Sequence, residues 1–106
     1  MKNPHVGVRI ARCVRNAEHA LDDAILMSSA LVAAMIEGRR DAGLAAEVGQ
    51  GALEQVIGNL QHLTGARGCL VQGHSALATA ADDQGIGWRM EGPLETKTTG
   101  RLVEAA

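Results

Sequence analysis

The feature that most constrains this chain is a spacing. From Ile10 onward, Val14, Ala17, Leu21, Ala24, Ser28, Leu31 and Met35 recur at alternating steps of four and three residues. That is the period of a helix presenting one seam to a partner helix. A second run, Leu53, Val56, Leu60, Leu63, Arg67, Leu70, His74 and Leu77, repeats it. Punctuation frames both runs. Asn3-Pro4 supplies an N-cap and a proline at the first helical position, Arg39 and Arg40 suit a final turn, and Gly43 and Gly85 suit the residues just beyond helix ends.

The expectation is an all-α fold, a long antiparallel helical hairpin over 1–85 with helices of about 4–41 and 44–84 and Gly7 as a fraying point. Folding the chain about residue 42 sets Leu31 against Leu53, Ser28 against Val56, Ala24 against Leu60, Leu21 against Leu63, Val14 against Leu70 and Ile10 against His74. Arg67 then falls opposite Ala17, and a pair with Glu18 is expected to help fix the register, with snorkelling of Arg67 to solvent as the alternative.

The second helix raises a question of its own. It carries glycine at 51, 58 and 65, and each helix-interior glycine costs about 1 kcal/mol relative to alanine. These glycines fall on the face opposite the Leu53–Val56 seam. An ordinary exposed face would be charged, yet residues 55–81 contain Arg67 as their only Lys, Arg, Asp or Glu. Leu26, Met27, Ala33 and Ile36 likewise lie off the first seam. A helix that is apolar all round is normally buried, and a lone hairpin cannot bury it. The expected partner is therefore a second copy, giving a homo-oligomer, most simply a four-helix bundle dimer, with a tetramer sharing the same pattern. Its interface is expected to use Leu26, Met27, Ala33, Ile36, Gly51, Gly58, Gly65 and Trp88. Residues 86–106 form a tail in which Ile86, Trp88 and Met90 alternate with Gly87, Arg89 and Glu91. That spacing reads as an extended arm, giving way to disorder from about 93.

Composition narrows the chemistry. Trp88 is the only aromatic residue, so the stacking platforms that grip single-stranded nucleic acid are missing. The net charge of −2 is uneven, with Lys2, Arg9, Arg12 and Arg15 concentrated at the start. Arg9, Arg12 and Arg15 form a candidate anion-binding stripe suited to phosphates. The stretch 39–57, RRDAGLAAEVGQGALEQVI, is similar to the opening of repressor-type helix-turn-helix domains, with Ala45 four residues before Gly49. It departs from them where Ala52, Leu53, Val56 and Ile57 stand in place of polar base-reading side chains. Nucleic acid is not the expected partner; a small DNA-binding regulator is the alternative reading.

Catalytic and metal constellations do not assemble on paper. His62 and Cys69 share a face but stand two turns, about 10 Å, apart, and His74 is rotated away. A metal would have to be shared between subunits, so these read as an interface histidine, a small apolar filler and a seam histidine. A ligand site between subunits around His62, Cys69 and Gln72 is the minor alternative. His5 and His19 lack ligand spacing. Ser28, Ser29 and Ser75 have no visible base, and Cys13, though flanked by Arg12 and Arg15, sits in mid-helix where packing is the plainer role. DDQGIG at 82–87 lacks the ligand pattern of an EF-hand, and the glycines of 65–73 follow no strand, as a phosphate loop would require. No enzyme activity or cofactor is expected. The longest uncharged apolar stretch, 24–36, has 13 residues, short of the roughly 20 that span a bilayer. With two cysteines and no disulfide framework, the expectation is a soluble cytoplasmic interaction module, open to an unidentified protein partner.

Overall fold

The computed structural model describes residues 4–87. It contains two helices, α1 (Pro4–Asp41) and α2 (Gln50–Asp83), packed as a hairpin, with no strand among the described residues. The expected alternation from Trp88 onward lies outside them.

Both helices stop by the same device. Gly43 has φ of 68°, and the Leu44 and Gly43 N–H groups donate to the Arg39 and Arg40 carbonyls, each at 3.0 Å. Gly85 has φ of 70°, and the Ile86 and Gly85 N–H groups donate to Ala81 and Asp82 at 2.8 and 3.1 Å. These are paired Schellman caps, in which a left-handed glycine lets the chain turn back and satisfy carbonyls the helix leaves open. Arg39 adds a side-chain bond to the Leu44 carbonyl at 3.2 Å.

The second helix begins at Gln50, six residues later than the expected 44. Gly49, with φ of 80°, holds the chain out of helical geometry until its carbonyl accepts the Leu53 N–H at 2.9 Å. Residues 44–49 instead form a non-helical turn. The stretch resembling a helix-turn-helix is thus the hairpin's own bend, not two short helices set at a steep angle.

The chain divides into two compact units. In the unit formed by 18–70, Asn59 Nδ2 donates to Ser28 Oγ at 2.9 Å, and Arg67 Nε donates to Asp22 Oδ1 at 2.5 Å. Ser28 therefore meets Asn59, not Val56, and Arg67 reaches Asp22, one turn beyond Glu18. The register is shifted by about one helical turn from the expected one, because the bend consumes residues that had been assigned to helix. The Asp22 and Arg67 side chains are about two-fifths exposed. Such a pair specifies alignment more than it stabilises, contributing under about 1 kcal/mol.

In the other unit, formed by residues up to 17 and from 71 onward, Gly7, Ala11 and Val14 of α1 are buried, as are His74 and Ala81 of α2. Gly7 is not a fraying point. A Cβ there would collide with the Gly87 carbonyl and crowd Ile86, so this glycine permits the returning chain to cross the helix.

Candidate protein interface

Packing of α2 follows the expected seam closely. Leu53, Val56, Leu60, Leu63, Arg67 and Leu70 are all partly buried and His74 is buried, but Leu77 is exposed, and Ala78 and Ala81 turn inward instead. The seam of α1 is different. Its buried or half-buried row runs Gly7, Ala11, Val14, Glu18, Leu21, Ile25, Ser28, Val32 and Met35. This row keeps Val14, Leu21, Ser28 and Met35 from the expected seam and replaces Ile10, Ala17, Ala24 and Leu31 with their C-terminal neighbours.

The residues left out form a second row along α1. Ile10, Cys13, Ala17, Ala20, Ala24, Met27, Leu31, Ala34 and Gly38 recur at steps of three and four, and all but the half-buried Ala24 are exposed. Met27 is 74% and Leu31 48% exposed. The apolar surface of α1 is thus two rows wide, one against α2 and one open.

Within the 18–70 unit, the two cross-helix bonds mark opposite sides. On the Asp22–Arg67 side lie the charged groups together with Leu26, Ala33 and Ile36, which follow Asp22 by 4, 11 and 14 residues on one helical row. Leu26 is 68% exposed. On the Ser28–Asn59 side, the open row of α1 runs beside Ala52, Gln55, Asn59, His62, Ala66 and Cys69 of α2, all exposed. None of these residues carries a formal charge.

The structure separates the residues read from sequence as one interface. Met27 belongs to the uncharged side, Leu26, Ala33 and Ile36 to the other, and Gly51, Gly58 and Gly65 to the back of α2, where an added Cβ would meet nothing within 4 Å. Trp88 is outside the described residues. What sequence reasoning missed is the exposed row of α1. The available signal was the width of its apolar arc, broader than α2 alone covers.

The basic start of α1 forms the other candidate feature. Arg9 and Arg12 line a surface hollow of about 260 Å³ with His5, Val6 and Val8, while Arg15 is half-buried and does not join them. Among the described residues no group of three His, Cys, Asp or Glu side chains could hold a metal. Cys13 and Cys69 are free and exposed, so Cys69, read as a small apolar filler, is not buried within the hairpin.

By length and composition alone, α1 could cross a membrane, holding an 18-residue window of mean hydropathy 1.4. Asp22 and Asp23 stand immediately before its 24–36 run, and Asp22 is held by Arg67 of α2. Comparison with known proteins finds nothing similar: no family model, curated protein or solved structure matches the chain.

Proposed function

We propose that this chain is a non-enzymatic interaction module that works by associating with itself, most simply as a dimer whose two hairpins form a four-helix bundle. One observation carries the reading. Among the described residues, the buried apolar side chains are Ala11, Val14 and Ala81, and no large side chain is fully buried. Meanwhile Leu26, Met27, Leu31, Leu44, Val48 and Ile57 stand exposed. Full burial of one leucine or isoleucine contributes about 1.5–3 kcal/mol, so a partner covering several of them supplies the core each hairpin lacks.

Protein is a better cover than lipid. The uncharged run 24–36 has 13 residues, short of the roughly 20 that span a bilayer, and Asp22 beside it is already provided with an arginine by α2. Cytoplasmic location belongs to the same reading, since exposed free cysteines suit a reducing compartment. Absolute mass by light scattering across a concentration series tests the proposal. The expected result is a multiple of 11.0 kDa, and a monomer at all concentrations overturns it.

A second reading rests on the hollow shared by His5, Arg9 and Arg12. Those groups line one hollow, and arginines set together in this way suit phosphate oxygens, which favours a small DNA-binding regulator. Salt-sensitive retention of DNA, lost in the Arg9→Ala/Arg12→Ala/Arg15→Ala variant, would support it, and absence of retention in the unaltered chain would end it.

A further inference from the structure

We infer that Trp88 docks on the start of α1 of its own chain, over Val6 and Ile10, so that the segment following Gly87 closes this end of the hairpin as a third layer. The inference is independent of self-association, and it takes Trp88 out of the interface between copies where sequence alone had placed it.

The returning chain is already on α1 when it reaches Trp88. The Gly85 cap turns it back, the Ile86 N–H is held by the Ala81 carbonyl at 2.8 Å, and Ile86 is half-buried. Gly87 then lies so close to Gly7 that a Cβ on Gly7 would overlap the Gly87 carbonyl oxygen, with Ile86 Cγ2 at 3.2 Å. Consecutive Cα atoms are about 3.8 Å apart, so the residue after Gly87 starts against the first turns of α1.

Two flanks of α1 adjoin Gly7. One carries Val6 and Ile10, four residues apart on one row; the other carries Val8, Arg12 and Arg15. The first is the apolar one, and it is incompletely covered, with Val6 half-buried and Ile10 37% exposed. Trp88 is the only aromatic residue in the chain. A packed indole buries about 150–250 Å² and keeps its N–H at the wet edge of an apolar patch, which suits a shallow site on one helix.

Burial along the chain points the same way. Among the described residues the buried ones are Gly7, Ala11, Val14, His74 and Ala81, and all belong to the unit formed by residues up to 17 and from 71 onward. The seam within 18–70 carries larger side chains in Leu21, Ile25, Leu60 and Leu63, yet reaches no more than half-burial. The returning chain at 84–87 gives the first unit a cover that two helices alone do not supply. Trp88 over Ile10 continues that cover by one turn.

Fluorescence of the full chain reads Trp88 without interference. Its emission should lie to the blue of that from the urea-unfolded chain, and iodide should quench it at least about threefold less. Ile10→Asp should restore unfolded-like emission and quenching while helical circular dichroism is kept, whereas Leu26→Asp, at an exposed apolar residue outside this unit, should change neither. Should Ile10→Asp fail to fold, Gly7→Leu gives the same reading, because a side chain there displaces Gly87. Attachment within one chain is read separately. In a Cys69→Ser background, a short bis-maleimide should join Cys13, one turn beyond Ile10, to Met90→Cys inside a single chain of 11.0 kDa on a denaturing gel. Unfolded-like emission from the folded, unaltered protein would overturn the inference, and shielding that survives Ile10→Asp or Gly7→Leu would overturn the site. A covalent dimer that needs both thiols would place Trp88 on a neighbouring copy, overturning attachment in one chain and leaving self-association standing. No link of either kind would overturn it as well.

Discussion

Gly7 and Gly51 are both helical glycines, and their surroundings give them opposite roles. Replacing a solvent-exposed helix-interior glycine with alanine usually stabilises by about 0.5–1 kcal/mol. Gly65→Ala should show that gain in urea unfolding and Gly51→Ala, in the first turn of α2, a smaller one, because an added methyl meets nothing within 4 Å at either. Gly7→Ala should lose stability, since its methyl has to displace the Gly87 carbonyl. A gain at Gly7 equal to that at Gly51 would mean that the crossing chain is not held there. Sequence alone read Gly51, with Gly58 and Gly65, as a costly glycine face and Gly7 as a fraying point. Only the approach of residues 86–87 distinguishes the one that is needed.

At the scale of the helices, most of what was legible came from punctuation. Gly43 and Gly85 mark the two ends because a left-handed turn is cheap only at glycine, and the residue type announces the conformation. Gly43→Ala should cost about 1 kcal/mol, read as a lower urea midpoint, without loss of the hairpin. A midpoint equal to that of the unaltered chain would mean that the cap contributes nothing. The start of α2 was not legible, because Gly49 and the alanines around it are compatible with either helix or turn by propensity alone. That error of six residues propagated into the register and displaced the expected partners of Ser28 and Arg67 by a turn. The seam of α2 could be read because its leucines form one narrow row. The seam of α1 could not, because Ile10, Ala17, Ala24 and Leu31 are as apolar as Ala11, Ile25 and Val32, the residues that turn inward. A periodicity argument finds the centre of such a surface, whereas α2 occupies only one half of it.

Across the whole molecule, the candidate interface was legible as a need and not as a place. The scarcity of charge between 55 and 81 led to the expectation of a partner, but which of the open residues lie together depends on how α1 and α2 face each other. If association supplies the missing core, the melting temperature should rise with protein concentration, by mass action. A transition that stays fixed over a hundredfold dilution would place all of the stability within one chain.

The thinness of each hairpin's interior also governs its backbone amides. Helix hydrogen bonds on an uncovered face open readily, and exchange with deuterated solvent reports that opening directly. With two alanines and a valine as the buried apolar residues among those described, a hairpin on its own has little to hold those bonds closed. If two copies associate as proposed, dilution should act as an unlocking agent, and the deuterium uptake of Ala20 through Ala34 becomes a clock for how long they stay together.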